Sequence, residues 1–182
     1  LLPVAVKADS LGERRSFYVD SGYDLSKRDS LSAVLLKISS KAYFYVDESW
    51  WNFTPQNEVY ATLSSLGEEF DNKIYPSLTA NYGSEWIPGI DKDARITVLI
   101  HPMVKDAGGY FRSNDEYTKL QVPGSNEREM IYLSSVKLED ANAPSFLAHE
   151  FTHLITFNQK NKTYGVEEDT WLNEARAEYA ST

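Results

Sequence analysis

The sequence predicts an α+β fold, because strand-like and helix-like patterns occur in separate blocks along its 182 residues. The first block contains short runs of β-branched and aromatic residues, and the last block contains two patterns with helical spacing. The length is enough for one domain with its own core. Hydrophobic residues make up 42% of the chain and charged residues 25%, which is typical of globular proteins and argues against disorder.

The first 50 residues form a predicted N-terminal β region. Residues 15–19 have the composition of a short strand, and residues 31–38 and 41–46 form two longer apolar and aromatic runs. Ser39 and Ser40 separate these two runs, which predicts a β-hairpin.

A helix and a buried strand follow. Pro55 is typical of a helix start, and apolar residues recur at helical spacing up to Phe70, so we expect a helix that ends near Tyr75-Pro76. A turn is expected at residues 91–93. The nearly all-apolar run 95–100 then indicates a central strand that is buried on both faces.

The rest of the chain is predicted to contain two short strands, a loop and two helices. Residues 108–111 read as a turn entering a short strand, residues 112–128 as a long polar surface loop, and residues 129–134 as another strand. Two helices are expected at the end, one over residues 144–158 and one from Thr170 to Thr182.

Composition excludes several kinds of function. The formal charge of −9 argues against a nucleic-acid partner. The absence of cysteine excludes disulfides, thiolate zinc sites and cysteine nucleophiles, so a metal would need histidine and carboxylate ligands. No stretch is apolar for long enough to span a membrane. Both ends of the sequence lead us to expect a piece of a longer chain. The start at Leu1-Leu2-Pro3 is expected for a processed chain without its signal peptide. Thr182 lacks a helix stop signal, so we expect the natural chain to continue.

The predicted helix over residues 144–158 carries the motif H-E-x-x-H at positions 149–153. On a helix, His149 and His153 lie one turn apart on the same face, so both imidazoles can bind one metal ion. Glu150 is displaced around the helix and is therefore suited to act as a general base beside the metal. Two histidines and a glutamate on such an apolar helix would be costly without a partner, and a metal supplies one.

A catalytic zinc ion needs a third protein ligand. A histidine ligand six residues after the second histidine of the motif is excluded, because Gln159 occupies that position. An aspartate ligand in a G-T-x-x-D segment is also absent. A glutamate on the following helix remains, and Glu174 and Glu178 both satisfy the pattern at i and i+4. Either could bind the metal while the other accepts a hydrogen bond from a histidine ligand.

The segments H-E-F-T-H-L-I-T-F-N and W-L-N-E-A-R-A-E-Y resemble the gluzincin, or thermolysin-like, zinc metallopeptidases and are most similar to the hyicolysin-type bacterial peptidases. The resemblance implies that His149, His153 and Glu174 ligate Zn²⁺ and that Glu150 acts on the water. It also implies that Glu178 orients the first histidine, and Asn173 matches the asparagine that precedes the ligand glutamate in the family.

The resemblance further implies one zincin-like catalytic domain over residues 1–182. Its twisted mixed sheet would have a backing helix, an active-site helix and a following glutamate helix. By analogy, residues 130–134 would be the edge strand that pairs with an extended peptide or protein substrate. The family's localisation implies a secreted or cell-surface protein. A C-terminal subdomain, which in this family often donates an oxyanion-stabilising Tyr or His, would be missing; Tyr164 and Tyr179 are nearby, but packing or surface roles are favoured for both.

Three alternatives remain open at this stage. The chain could be a non-catalytic surface or adhesion module that retains zinc for structure, although a structural zinc usually has four protein ligands. Asp91 and Asp93 could hold Ca²⁺, but two aspartates on a turn are weak evidence. His101 could be a ligand, but a polar residue at a strand end is the favoured interpretation. The oligomeric state and the substrate preference are not predicted.

Overall fold

The computed structural model describes residues 8–182 and confirms the α+β class. The expected start at Leu1-Leu2-Pro3 lies outside the described residues. The strands are β1 (Arg14–Tyr18), β2 (Ser30–Ile38), β3 (Ala42–Asp47), β4 (Ile96–His101), β5 (Gly109–Phe111) and β6 (Met130–Ser134). The helices are α1 (Glu48–Trp51), α2 (Gln56–Glu69), α3 (Tyr75–Tyr82), α4 (Ala143–Thr156) and α5 (Thr170–Ala180). Over residues 8–182, no helix combines the length and the apolar character that crossing a bilayer requires.

The six strands form one mixed sheet in the order β1-β2-β3-β4-β6-β5. β2 and β3 pair antiparallel, which confirms the predicted hairpin. β3, β4 and β6 run parallel to one another. All six residues of β4 are buried, as expected for a central strand covered on both faces.

The prediction that residues 130–134 form the edge strand is wrong. β6 lies between β4 and β5, and β5 is the strand at the end of the sheet. β5 pairs antiparallel with β6, and the Tyr110 ring stacks on the Tyr132 ring with 4.2 Å between centroids. This short strand therefore covers the side of β6 that the analogy had left open.

The helix that begins after Pro55 extends further than predicted. α2 passes through a π-helical segment (Phe70–Ile74) into α3, which continues to Tyr82 instead of ending near Tyr75-Pro76. Pro76 falls in the first turn of α3, where the missing N–H removes little hydrogen bonding. The change in winding before Pro76 therefore lets the chain remain helical across the proline.

Alternate residues of the central strands face two separate apolar clusters. Phe44, Val98 and Ile131 belong to the cluster that includes α2, α3 and α4, whereas Tyr45 and Tyr132 belong to the cluster on the opposite face of the sheet. α4 thus lies against one face of the sheet, in the larger of the two clusters.

α5 is attached to the molecule differently from α4. It packs against α4, but only one of its residues, Ala177, is buried. A salt bridge between Arg176 and Glu168 joins it to the preceding segment. α5 is therefore positioned by few apolar contacts, although it carries Glu174.

The segment 112–128 is not the polar surface loop that its composition predicts. It contains a 3₁₀ turn (Ser113–Glu116), and four of its polar residues are buried. These residues are Asp115, Glu116, Ser125 and Arg128. Their burial depends on partners that are distant in sequence, such as the ion pair between Arg128 and Asp9, which a local polarity pattern does not reveal.

Glu116 and Glu129 form a buried pair of carboxyl groups, and the ammonium group of Lys162 lies close to Glu116. Lys162 Nζ donates to the Glu116 carbonyl at 2.6 Å and lies 3.7 Å from its carboxylate. Both Glu116 carboxylate oxygens and Glu129 Oε2 have no hydrogen-bond partner among residues 8–182. Burial, together with the negative charge of Glu129, raises the pKa of Glu116 well above its usual value. Burial and the neighbouring Asp91 raise the pKa of Glu129 to about 7. Near neutral pH the pair thus favours holding a proton.

We expect this pair to make the protein less stable as the pH rises. Because the folded pKa of Glu129 exceeds its unfolded value, the stabilisation is complete below about pH 4.5 and is lost as the pH rises through about 7. The loss is about 3 kcal/mol in order of magnitude. Glu129→Gln removes this titration, so the variant should have the higher Tm at pH 8, by about 2–4 °C for each kcal/mol.

Thermal unfolding between pH 5 and pH 8 at constant zinc concentration measures this effect. Glu58→Gln, which changes an exposed helical glutamate, is the matched control. Parallel pH profiles for wild type and Glu129→Gln would show that the pair does not titrate in this range.

Candidate metal centre

α4 positions the two histidines of the motif. Pro144 lies in its first turn, where proline favours helix, and the run up to Thr156 contains no helix breaker. The apolar face of α4 is fixed in the core, since Leu147, Phe151 and Leu154 are fully buried. His149 and His153 consequently point to one side, and their Nε2 atoms are 3.1 Å apart.

Glu174 reaches the same point from α5. One of its carboxylate oxygens, Oε2, lies 3.4 Å from His149 Nε2. The other, Oε1, lies 3.7 Å from His153 Nε2. One donor atom from each of the three residues falls within 4.8 Å of the others. Ligands at 2.0–2.1 Å around a tetrahedral zinc ion are separated from one another by about 3.3–3.5 Å. The three donors are therefore close enough for one metal ion to reach them all, and two imidazoles with one carboxylate are a donor set that suits a catalytic zinc site with an open position.

A hydrogen bond on the far side of its ring orients His153. His153 Nδ1 lies 3.1 Å from Asn173 Oδ1, and because an amide oxygen only accepts, Nδ1 carries the proton and Nε2 is free to bind a metal. Burial lowers the pKa of His153, which also favours the neutral, metal-binding ring. Glu178 Oε2 lies 3.7 Å from His149 Nδ1, beyond hydrogen-bond distance. The structure thus brings Asn173 into direct contact with His153 and Glu178 close to His149.

Glu150 lies in the same cavity and is not one of the three clustered donors. Its side chain is buried, and burial together with the charge of Glu174 raises its pKa to about 8. The cavity has a volume of about 330 Å³. Its lining residues are Tyr23, Gly109, Tyr110, Phe111, His149, Glu150, His153, Asn173 and Glu174. In its ionised form, which the charge of a cation bound nearby would favour, a carboxyl group placed in this way can accept a proton from a molecule held between it and the histidines.

Gly109 in the edge strand β5 leaves space for Glu150. A Cβ atom at this position would lie 2.6 Å from the Tyr132 carbonyl oxygen and 2.8 Å from Glu150 Cγ. Any side chain would thus push either the edge strand or the glutamate out of place. The close approach of β5 to α4 therefore depends on this glycine.

We expect Gly109→Ala to destabilise the fold by about 1–3 kcal/mol, because the Cβ overpacks a backbone contact. Displacement of Glu150 should also reduce the peptide cleavage that the resemblance implies, by up to about 100-fold. Gly124→Ala is the matched control, since its Cβ meets only Arg112 Nη2, at 3.9 Å. Tm, zinc content and peptide cleavage should be measured for both variants. Identical results for the two would contradict the role of Gly109.

The other candidate residues do not join this cluster. Tyr164 and Tyr179 are exposed and do not line the cavity. His101 is buried at the end of β4, where its ring nitrogens contact Asp24 and Tyr110. The 91–93 turn is closed by Asp91, which accepts from the Asp93 amide, and Asp93 accepts from the Tyr43 hydroxyl. Neither aspartate belongs to a group of three metal-binding side chains within residues 8–182.

Tyr23 and Tyr110 line the cavity, although neither was among the candidates from sequence. Tyr110 follows the glycine pair that was predicted to enter a strand, so its position was partly signalled. Tyr23 lies in an irregular segment far from the motif, and no local pattern marks it.

Comparison with known proteins points to the same chemistry. No family model matches the sequence. The chain is similar to the neutral metalloprotease ShpI of Staphylococcus hyicus, with 33% identity over 132 residues. The match covers 62% of this chain and 28% of ShpI, so the chain spans little more than a quarter of that relative. The similarity supports a relationship with metallopeptidases.

Proposed function

We propose that this chain is a zinc-dependent metalloendopeptidase domain of the gluzincin type. The observation that carries the proposal is the convergence of His149, His153 and Glu174 beside the buried carboxyl group of Glu150. The relationship to a neutral metalloprotease agrees with this chemistry. The mixed sheet with α4 and α5 supports a single zincin-like domain. The substrates would be peptides or proteins, and the resemblance to the gluzincins supports a secreted or cell-surface location.

Five residues of the cavity have distinct roles in the proposed reaction. His149, His153 and Glu174 would hold the metal, which would supply a Lewis acid for the hydrolysis. Glu150 accepts the proton of the attacking water and passes it to the leaving amine. Asn173 keeps the ring of His153 in the metal-binding tautomer.

β5, not β6, is the strand proposed to bind the substrate. It is one of the two edge strands of the sheet, and Gly109, Tyr110 and Phe111 all line the cavity. An extended peptide can add to such an edge as a further strand, so that backbone hydrogen bonds position the scissile bond near Glu150.

The proposal is tested by removing and restoring the metal. Purified protein should contain about one zinc ion per chain, cleave casein or a quenched peptide, lose cleavage with a chelator and regain it with Zn²⁺. Cleavage that persists in the metal-free protein would contradict the proposal. A chelator that lowers Tm while no peptide is cleaved under any condition would instead favour the non-catalytic surface or adhesion module. Ca²⁺ added to the chelated protein shows whether a calcium ion also contributes to stability.

A further inference from the structure

Tyr23 is the one cavity residue, within the described part of the chain, that does not belong to β5, α4 or α5. It lies between β1 and β2, and its side chain is 41% exposed. It therefore lines the cavity from a segment that contributes none of the three metal donors.

The backbone of Tyr23 is held in place on both sides. Its carbonyl accepts from the Val104 amide at 2.9 Å, and its own amide donates to the Asp20 carbonyl at 3.0 Å. The next residue, Asp24, is fully buried and binds Arg28 and His101. A loop anchored in this way presents Tyr23 in one position before any ligand arrives.

One face of the Tyr23 ring packs against another tyrosine, Tyr110. It stacks on Tyr110 with 4.6 Å between centroids and 24° between planes, and Tyr110 in turn stacks on Tyr132. The Tyr132 hydroxyl donates to the buried Asp115 at 2.5 Å. Three tyrosines thus form a stacked column, and Tyr23 is its exposed end.

The column lies on the face of the sheet opposite α4. Tyr110 and Tyr132 belong to the apolar cluster of that face, whereas Phe111 packs against the cluster that contains α4. The edge of β5 therefore has the metal donors on one side and Tyr23 on the other. Side chains of a peptide added to this edge alternate between the two sides.

We propose that Tyr23 is a specificity-determining residue, which contacts the substrate side chains that point away from α4 and favours aromatic or large apolar ones. The inference rests on the proposed peptidase function and on β5 as the substrate-binding edge. A fixed, exposed aromatic ring offers a face for stacking at little entropic cost, because its rotamer is already set.

The test uses matched peptides in which one position at a time carries Phe or Ala. The ratio of kcat/KM for the Phe and Ala peptides measures preference at each position. Wild type should prefer Phe at positions spaced two residues apart. Tyr23→Ala should reduce that preference roughly 10-fold, the lower end of what an apolar contact contributes to discrimination. Tyr23→Phe should retain it, and so should Tyr164→Ala, which changes an exposed tyrosine outside the cavity.

Binding of the corresponding Phe and Ala peptide hydroxamates to the zinc-loaded protein, measured by calorimetry, gives a second readout that needs no cleavage. A Phe preference in binding that is lost in Tyr23→Ala supports the inference even if wild type cleaves nothing, and in that case only the peptidase function fails. Cleavage with an unchanged Phe preference in Tyr23→Ala overturns the inference and leaves the function standing.

Two further results would also overturn it. One is the absence of any Phe preference in wild type, and the other is an equal loss in Tyr23→Phe, which would assign the effect to the hydroxyl group. Tyr23→Leu keeps an apolar cover over Tyr110, so it provides the same comparison if the alanine variant does not fold. Zinc content and circular dichroism establish that each variant is intact.

Discussion

Glu150→Gln is expected to reduce kcat by roughly 10²–10⁴-fold, the usual contribution of a general base, while zinc content stays unchanged. The carboxamide has nearly the same shape as the carboxylate but cannot accept a proton. Glu150 lines the cavity and is not among the three clustered metal donors, so its replacement should affect the reaction and not the metal. KM should change little, because the change removes proton transfer and not substrate contacts.

Steady-state kinetics and metal analysis of the same preparations test this expectation. Glu58→Gln introduces the same chemical change on the exposed surface of α2 and should match wild type. Equal rates for wild type and Glu150→Gln would remove Glu150 from the mechanism. Loss of zinc in Glu150→Gln would instead make it part of the metal-binding set.

Removal of a metal donor is expected to have the second large effect. His153→Ala and Glu174→Ala should each weaken zinc binding by more than about 100-fold, since even the loss of an outer hydrogen-bond partner costs 10–100-fold. Asn173→Ala, which removes only the contact to His153 Nδ1, should fall within that 10–100-fold range. Glu178 lies farther from its histidine, so Glu178→Ala should have the smaller effect.

Zinc affinities from chelator competition rank these variants. Because a bound metal stabilises only the folded state, the Tm of wild type should rise with zinc concentration and that of Glu174→Ala should not. Glu58→Ala serves as the control for removing a helical glutamate. If Glu178→Ala loses zinc and Glu174→Ala retains it, the two glutamates exchange roles.

Local patterns predicted the parts of the fold that local geometry determines. The hairpin and the buried strand β4 are confirmed, because alternation and apolar runs follow directly from strand structure. The relation between His149 and His153 was equally predictable, because one helical turn separates i from i+4. The sequence pattern narrowed the third metal ligand to Glu174 or Glu178, and only the resemblance favoured Glu174.

Features that depend on distant pairing were missed. The analogy with the family made β6 the edge strand, and the sequence could not correct this, because a three-residue strand such as β5 carries too little pattern to indicate where it pairs. The composition of the segment 112–128 predicts a surface loop, because the contacts of its buried acids are not local. Glu116 lies close to Lys162, which is outside the segment, and Asp115 accepts from the amide of Asn126, which is near its end. Tyr23 lines the cavity because the fold brings the segment between β1 and β2 close to β5, and the sequence pattern does not predict that proximity.

The sparse packing of α5 gives the metal a mechanical role. With Ala177 as its one buried residue, α5 has little apolar contact to hold it when Glu174 no longer shares a cation with α4. A bound ion would act as a cross-link between two helices. In its absence, we expect the backbone amides of α5 to exchange with deuterium well before those of α4, whose buried face keeps it folded. The metal-free chain would then be open to digestion at this helix, so that metal supply would control how long the protein survives in the presence of proteases.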